Sequence, residues 1–367
     1  MKQTKTIIAA VSRTLLGVVF LFSGVVKAID PLGTVYKIED YLKAFGGFFL
    51  ELLPMAEVAA WGLIILELLL GMCMVLNIRT IWTSWVSLLF YLVMTPLTLY
   101  IALTNPVSDC GCFGDAIVLT NWQTFSKNVV LIVLAILLVV LRKYTRPFWS
   151  KGMELSLAVL TIMAAIGFMT WTRLHLPLKD FRPYKIGNHL PSLMDYPEDA
   201  EPDVYEYSFV YEKDGVEQTF TLENYPKGDS TWTFVRQNSK LIQKGYEPPI
   251  HDFEIINAEG EDLTWDILES EEPVTLVIMY DLAKADNKQM AKVETLSLQG
   301  ELDGAFYILT GSGTDEIISF ALEYPNWNDY ICTCDPVTLK TIVRANPGVI
   351  VLQNGIVIDK YNLRNRH

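Results

Sequence analysis

Long apolar runs separated by short polar breaks fill the first 175 positions; beyond them, apolar residues come in small clusters among acids and tyrosines. A helix needs roughly 20 mostly apolar residues to cross a bilayer. Five runs approach or meet this length, at residues 6–28, 58–76, 81–103, 125–141 and 153–171. The first follows Lys2 and Lys5 as a secretory leader would. Its apolar run is long for a leader and no small-residue cleavage site follows, so it reads as a retained span. Between the first two spans, Val35, Ile38, Leu42 and Phe45 recur at helical spacing, with Lys37, Glu39, Asp40 and Lys43 among them. That pattern predicts a short amphipathic helix lying on the membrane surface.

The polar half changes period. Residues 204–222 alternate in character around Lys213-Asp214-Gly215, a hairpin signal that predicts a small β subdomain within a Pro-, Tyr- and acid-rich stretch, 177–250. From there the pattern predicts strands at 252–256, 274–280, 305–310, 330–334, 349–352 and 356–361, with helices at 263–268, 283–298, 315–322 and 337–344. Strands alternating with helices and ending in an antiparallel hairpin indicate an α/β domain.

Charge adds a direction. Residues 1–175 carry 13 Lys/Arg and 9 Asp/Glu, and residues 176–367 carry 16 and 33, so nets of +4 and −17 make up the overall −13. An acidic soluble half repels phosphate backbones, which argues against nucleic acid. If the spans alternate, Lys2, Lys5, Arg79, Arg142, Lys143, Arg146 and Lys151 all fall on one side. The positive-inside rule makes that side cytoplasmic. The expected topology is an N-terminus inside, with loops 29–57 and 104–120 and everything after 172 outside. For a bacterial inner membrane, outside is the oxidising periplasm.

Four of the five cysteines then lie outside, as two Cys-x-Cys pairs. Cys110-Gly111-Cys112 sits between spans three and four. A disulfide across one residue closes a very small ring and should be readily reduced. The pair therefore reads as a redox-active dithiol, as a static disulfide stapling the loop, or as two reduced thiols packed under it. Trp122 and Phe125 follow at the mouth of span four, where an interfacial belt or a quinone ring would sit. Cys332 and Cys334 fall on a predicted strand, where residues i and i+2 share a face, so they read as a second thiol station, as a static bridge or as an incidental pair. Cys73 lies near the inner end of span two and reads as a core residue. No metal site is expected, because the four histidines are scattered and none lies near a cysteine pair.

Two charges fall within spans. Glu67 must face the bundle, pair or be protonated; Arg13 is its candidate partner, unless it snorkels to the inner surface.

The run Leu16-Gly17, Phe20, Ser23-Gly24, Lys27 and Asp30-Pro31, with Glu67 and the Cys-Gly-Cys-Phe-Gly-Asp loop before Thr120-Asn121-Trp122, resembles the DoxX/MauE group of bacterial membrane proteins over roughly residues 5–145. The resemblance implies a four-helix membrane module (1–147), followed by a fifth span (148–176). It also implies thiol/disulfide redox or maturation of exported proteins of the methylamine-utilisation type, with MauE, or quinone or thiosulfate chemistry, with DoxX. Pro248-Pro249-Ile250-His251-Asp252-Phe253 and Ala345-Asn346-Pro347-Gly348 make residues 250–367 resemble a thioredoxin-like domain, after a β-rich extension (177–249). Pro347 matches that family's cis-proline, where an extended peptide can pair. The family's Cys-x-x-Cys is missing: Ala283 and Asp286 stand in those places. The layout also resembles vitamin K epoxide reductase homologues, which carry the motif. Two readings follow. One is a thiol-disulfide oxidoreductase exchanging with an exported thiol protein and passing electrons towards a quinone. The other is a non-enzymatic scaffold whose soluble domain binds an envelope protein.

Overall fold

The computed structural model describes residues 2–107, 109–145, 149–243, 245–303 and 305–365. Arg146, one of the charges used to orient the chain, lies outside them. The first half is helical: α1 (Lys2–Ile29), α2 (Pro31–Phe45), α3 (Ala56–Val75), α4 (Thr80–Thr104), α5 (Asn121–Leu141) and α6 (Lys151–His175). Five segments are long and apolar enough to cross a membrane: α1, α4, α6, α3 with the 3₁₀ turn before it (Gly47–Val75), and α5 extended to Tyr144. Their outward positions are exposed Ile, Leu, Val, Phe and Trp, as contact with lipid requires. The chain is a multi-pass membrane protein.

Helix α1 is paired with α3 through glycine. A Cβ at Gly71 would lie 2.6 Å from the Leu21 backbone nitrogen, and one at Gly17 would lie 2.9 Å from the Met74 Cβ. Small residues allow this close approach where no hydrophobic force drives helices together. The contacts also set the register. Gly17 lies level with Met74 and Gly24 with Leu68, so Glu67 is level with the turn containing Ser23 and Lys27.

The helix ends divide between two faces. At one, the Trp149 indole donates to the Leu76 carbonyl at 2.9 Å, Arg79 pairs with Glu154 at 3.2 Å, and Lys5 lies over the Tyr144 ring. At the other lie α2, the cysteine loop and the start of the soluble half. The apolar face of α2 is present as the pattern predicts, but Val35 packs on Ala56 and Ala60 of α3, with Ile38 and Leu42 beside them, rather than resting on lipid alone.

The soluble half holds two sheets. Strands β1 (Val204–Lys213), β2 (Val216–Thr221) and β3 (Thr233–Gln243) form an antiparallel sheet in the order β2-β1-β3. Asp214 and Gly215 make the β1–β2 turn with positive φ. The larger sheet contains β4 (Val274–Ile278), β5 (Ala305–Thr310), β6 (Ile331–Thr333), β7 (Gly348–Gln353) and β8 (Ile356–Asn362), in the order β6-β5-β4-β7-β8. Strands β4, β5 and β6 run parallel, whereas β7 and β8 pair antiparallel. Helices α7 (Leu190–Met194), α8 (Thr264–Leu268), α9 (Met290–Asp303), α10 (Thr314–Glu323) and α11 (Pro336–Ile342) complete the half. Both faces of the larger sheet are covered. Leu276, Ile350 and Leu352 pack with Ile255, Leu339 and Ile342 on one side; Val277, Ile308 and Val349 pack with Val293, Phe320 and Trp327 on the other. Strand β4 is therefore apolar at almost every position.

Two expectations need correction, and one strand was missed. Residues 252–256 form no strand: only Ile256 makes isolated bridges, to Asp262 and Thr333. The helix expected at 283–298 begins at Met290, after two 3₁₀ turns capped by the Asp281 and Asp286 side chains. Strand β3 was not anticipated.

Candidate functional site

The cysteine loop is held open-ended over the bundle by its neighbours. Asp109 accepts from the Gly111 amide at 2.8 Å and pairs with Lys37 of α2 at 2.9 Å. The Tyr41 hydroxyl, also on α2, donates to the Cys110 carbonyl at 2.8 Å. Gly111 takes φ +65°, and a Cβ there would strike the Lys37 stem at 2.8 Å, so both the turn and the packing require glycine. The two thiols come together, with Sγ atoms 3.2 Å apart.

Beneath the loop, three side chains form a buried polar cluster. Lys27 pairs with Glu67 at 2.6 Å and donates to the Ser23 hydroxyl at 3.1 Å. Ser23 lies within donating distance of both Glu67 Oε2, at 2.9 Å, and the Cys112 carbonyl, at 2.7 Å. Its single hydroxyl hydrogen serves one of these acceptors at a time. Glu67 is 3% exposed and Lys27 5%, so each charge depends on the other.

This arrangement corrects the sequence-based pairing. Arg13 does not meet Glu67; its guanidinium donates to the carbonyls of Met74 and, at 3.0 Å, Val75. The α1–α3 register is the reason, because it sets Arg13 beside the C-terminal end of α3 and Lys27 beside Glu67. Lys27 was legible only as part of a family pattern. Its i, i+4 spacing from Ser23 on α1 was the signal that could have marked it as a partner.

The environment divides the two thiols. Cys112 is pulled down to about 6, chiefly by its contact with the Cys110 sulfur, with the Lys127 and Lys27 cations acting in the same direction against burial and the Glu67 charge. Cys110 is driven up, by its contact with Cys112 and by burial. Lys127, at the head of α5, sits 4.3 Å from the Phe113 ring centre. These surroundings favour the thiolate at Cys112 over that at Cys110.

Loop and cluster share a cavity of about 360 Å³ whose apolar wall includes Phe20, Phe90, Tyr91, Met94 and Phe113. Trp122 is not among the residues lining it. The ring is half exposed on the outside of the bundle, edge-on to Phe125.

The remaining sequence candidates lie in the soluble half. Cys332 and Cys334 are free thiols inside its core, each pushed up to about 12, principally by burial. Ala283 is exposed in a 3₁₀ turn, and Asp286 caps the next turn and pairs with Arg364 at 3.1 Å. The Asn346–Pro347 peptide is cis. No group of metal-ligating side chains occurs among the described residues.

Residues 5–141 match the family model for the methylamine utilisation protein MauE. The MauE match spans α1 to α5 and so includes Ser23, Lys27, Glu67, Cys110 and Cys112. Residues 205–244 match a domain of unknown function, which coincides with the three-stranded sheet. No curated protein and no solved structure matches the chain.

Proposed function

We propose that the MauE-like module is a thiol–disulfide exchange centre at the outer face of a bacterial inner membrane, acting on exported thiol proteins. The observation that carries this reading is the contact of the two thiols, one acidic and one not, above the Lys27–Glu67–Ser23 cluster. The Cys112 thiolate attacks one sulfur of a partner disulfide, which forms a mixed disulfide and releases the partner's other sulfur as a thiolate. Cys110 then loses its proton and attacks Cys112 Sγ. The loop disulfide forms and the second partner thiolate leaves. In reverse, the oxidised loop installs a disulfide in a partner dithiol. Two electrons and two protons move, and no third reactant is needed.

The cavity fits a quinone-class acceptor, since its wall is aromatic and apolar and Lys27 and Ser23 are polar groups that would hold ring oxygens. Such a group would take up the two electrons of the loop dithiol.

The basic ends of α1, α3–α4 and α5–α6 support placing that face in the cytoplasm, with the cysteine loop and soluble half in the periplasm. The soluble half supports a thioredoxin-like reading through its strand order, the position of Pro347 and the central β4 leading into residues 280–286. With Ala283 and Asp286 in place of cysteines, its contribution is binding and not exchange.

The test is trapping in intact cells. Cys110→Ser leaves Cys112 without a resolving thiol and should accumulate a mixed disulfide with a periplasmic protein, separable on non-reducing gels. Cys112→Ser should trap far less. If neither variant forms an adduct and the wild-type pair stays oxidised under reductant, the loop is a staple and the chain is a scaffold.

A further inference from the structure

One set of contacts joins the soluble domain to the membrane module at the mouth of the cysteine site. Arg344, between α11 and Pro347, is only 7% exposed. Its guanidinium pairs with Asp30 at 2.8 Å and reaches Asp115 at 3.4 Å. These two acids belong to different parts of the site. Asp30 caps α2 through the Gly33 amide, and Asp115 lies three residues after Cys112. Tyr36 of α2 meets Tyr280, the residue from which the segment lacking cysteines departs, with hydroxyls 3.3 Å apart. Lys340 lies 4.8 Å above the Tyr36 ring and Arg344 5.2 Å from it. Asp30, held below the usual carboxylate range by the Arg344 and Arg182 charges set against its burial, stays ionised in this contact.

We propose that this edge of the soluble domain is an interface for its own membrane module, and that Arg344 latches the domain as a cap over the dithiol. Three arguments lead there. Arg344 and Tyr280, which flank Pro347 in sequence and across the sheet, are already engaged by Asp30 and Tyr36 of the membrane module. The latch grips the cysteine loop itself, through Asp115. The contacts are charged and aromatic pairs, which resemble an interdomain interface more than a domain core. A folded partner reaches Cys112 only after the cap swings away, whereas a small reagent enters through the half-exposed loop.

The purpose of the cap rests on the exchange reading, but its existence is tested without it. The full-length protein in nanodiscs is treated with iodoacetamide or with maleimide carried on a roughly 5 kDa polymer, and modification of Cys110 and Cys112 is followed by mass spectrometry. In the wild type the bulky reagent should lag. In Arg344→Ala its rate should rise at least tenfold, while that of iodoacetamide changes by less than twofold. Asp115→Asn, at a half-exposed position that can be altered without disturbing either core, should raise the bulky rate severalfold. Arg344→Asp combined with Asp30→Arg should restore the lag. A bulky reagent as fast in the wild type as in Arg344→Ala, or a rate unmoved in both Arg344→Ala and Asp115→Asn, overturns the cap. Either result leaves the trapping test of Cys110→Ser to stand or fall separately.

Discussion

Lys27 and Glu67 form a 2.6 Å ion pair, buried between α1 and α3 directly under Cys112. A buried pair owes its charges to one another, and removing one partner strands the other at a cost of about 3–5 kcal/mol. Lys27→Met and Glu67→Leu should therefore each lower the thermal midpoint in detergent markedly. The double variant should lose less than either single one, because an apolar pair needs no compensation. Double losses that simply add would show that the two side chains act independently.

The acidity of Cys112 has a direct reading in rate. Alkylation follows the thiolate, whose fraction grows as pH rises through the thiol's pKa. With Cys112 lowered to about 6, the iodoacetamide rate should reach half its plateau near pH 6, where an ordinary cysteine needs roughly pH 8.5. Lys127→Met removes one of the cations that favour the thiolate, so the midpoint should move upward. A wild-type profile that climbs only above pH 8 would contradict the asymmetry between the two sulfurs.

The sequence made some of this legible and hid the rest for physical reasons. Hydropathy reveals spans because lipid accepts no alternative, and all five were found. Glu67 was conspicuous for the same reason. Its partner was not, because residues 13 and 27 lie about 21 Å apart along α1, and only the register of Gly17 and Gly24 against α3 decides between them. Strands β4, β5 and β7 announced themselves as continuous apolar runs. Strand β3 did not, because it is largely exposed and polar residues occupy both its faces. The contact of Arg344 with Asp30 and Asp115 joins residues more than 200 positions apart, and no local pattern carries it.

The glycine seam gives a sharp comparison. At Gly71 a methyl group would strike the α1 backbone, 2.6 Å from the Leu21 nitrogen, whereas at Gly62 nothing lies within 4 Å. Backbone cannot yield as a side-chain tip can, so Gly71→Ala should cost about 1–3 kcal/mol by forcing the helices apart. Gly62→Ala should be neutral or slightly stabilising, since it only trades a poor helix former for a good one. Thermal unfolding of both variants in one detergent checks the pair. Equal midpoints would mean that α1 and α3 do not pack through Gly71.

Cys332 and Cys334 provide the last test, because a relay between two cysteine pairs requires both to be reachable. They sit in the core of the soluble domain with Leu276, Leu339 and Ile350. Burial pushes each up to about 12, so at pH 8 only about one part in ten thousand is thiolate. Reaction through local opening instead restores an ordinary thiol, but an opening that costs about 4 kcal/mol slows modification roughly a thousandfold. Membrane-impermeant reagent applied to the folded protein should therefore leave both cysteines untouched through a reaction that consumes Cys112. Both should label fully once denaturant unfolds the domain. Labelling of Cys332 or Cys334 in the native protein at a rate comparable to Cys112 would restore the second station and place part of the exchange chemistry in the soluble half.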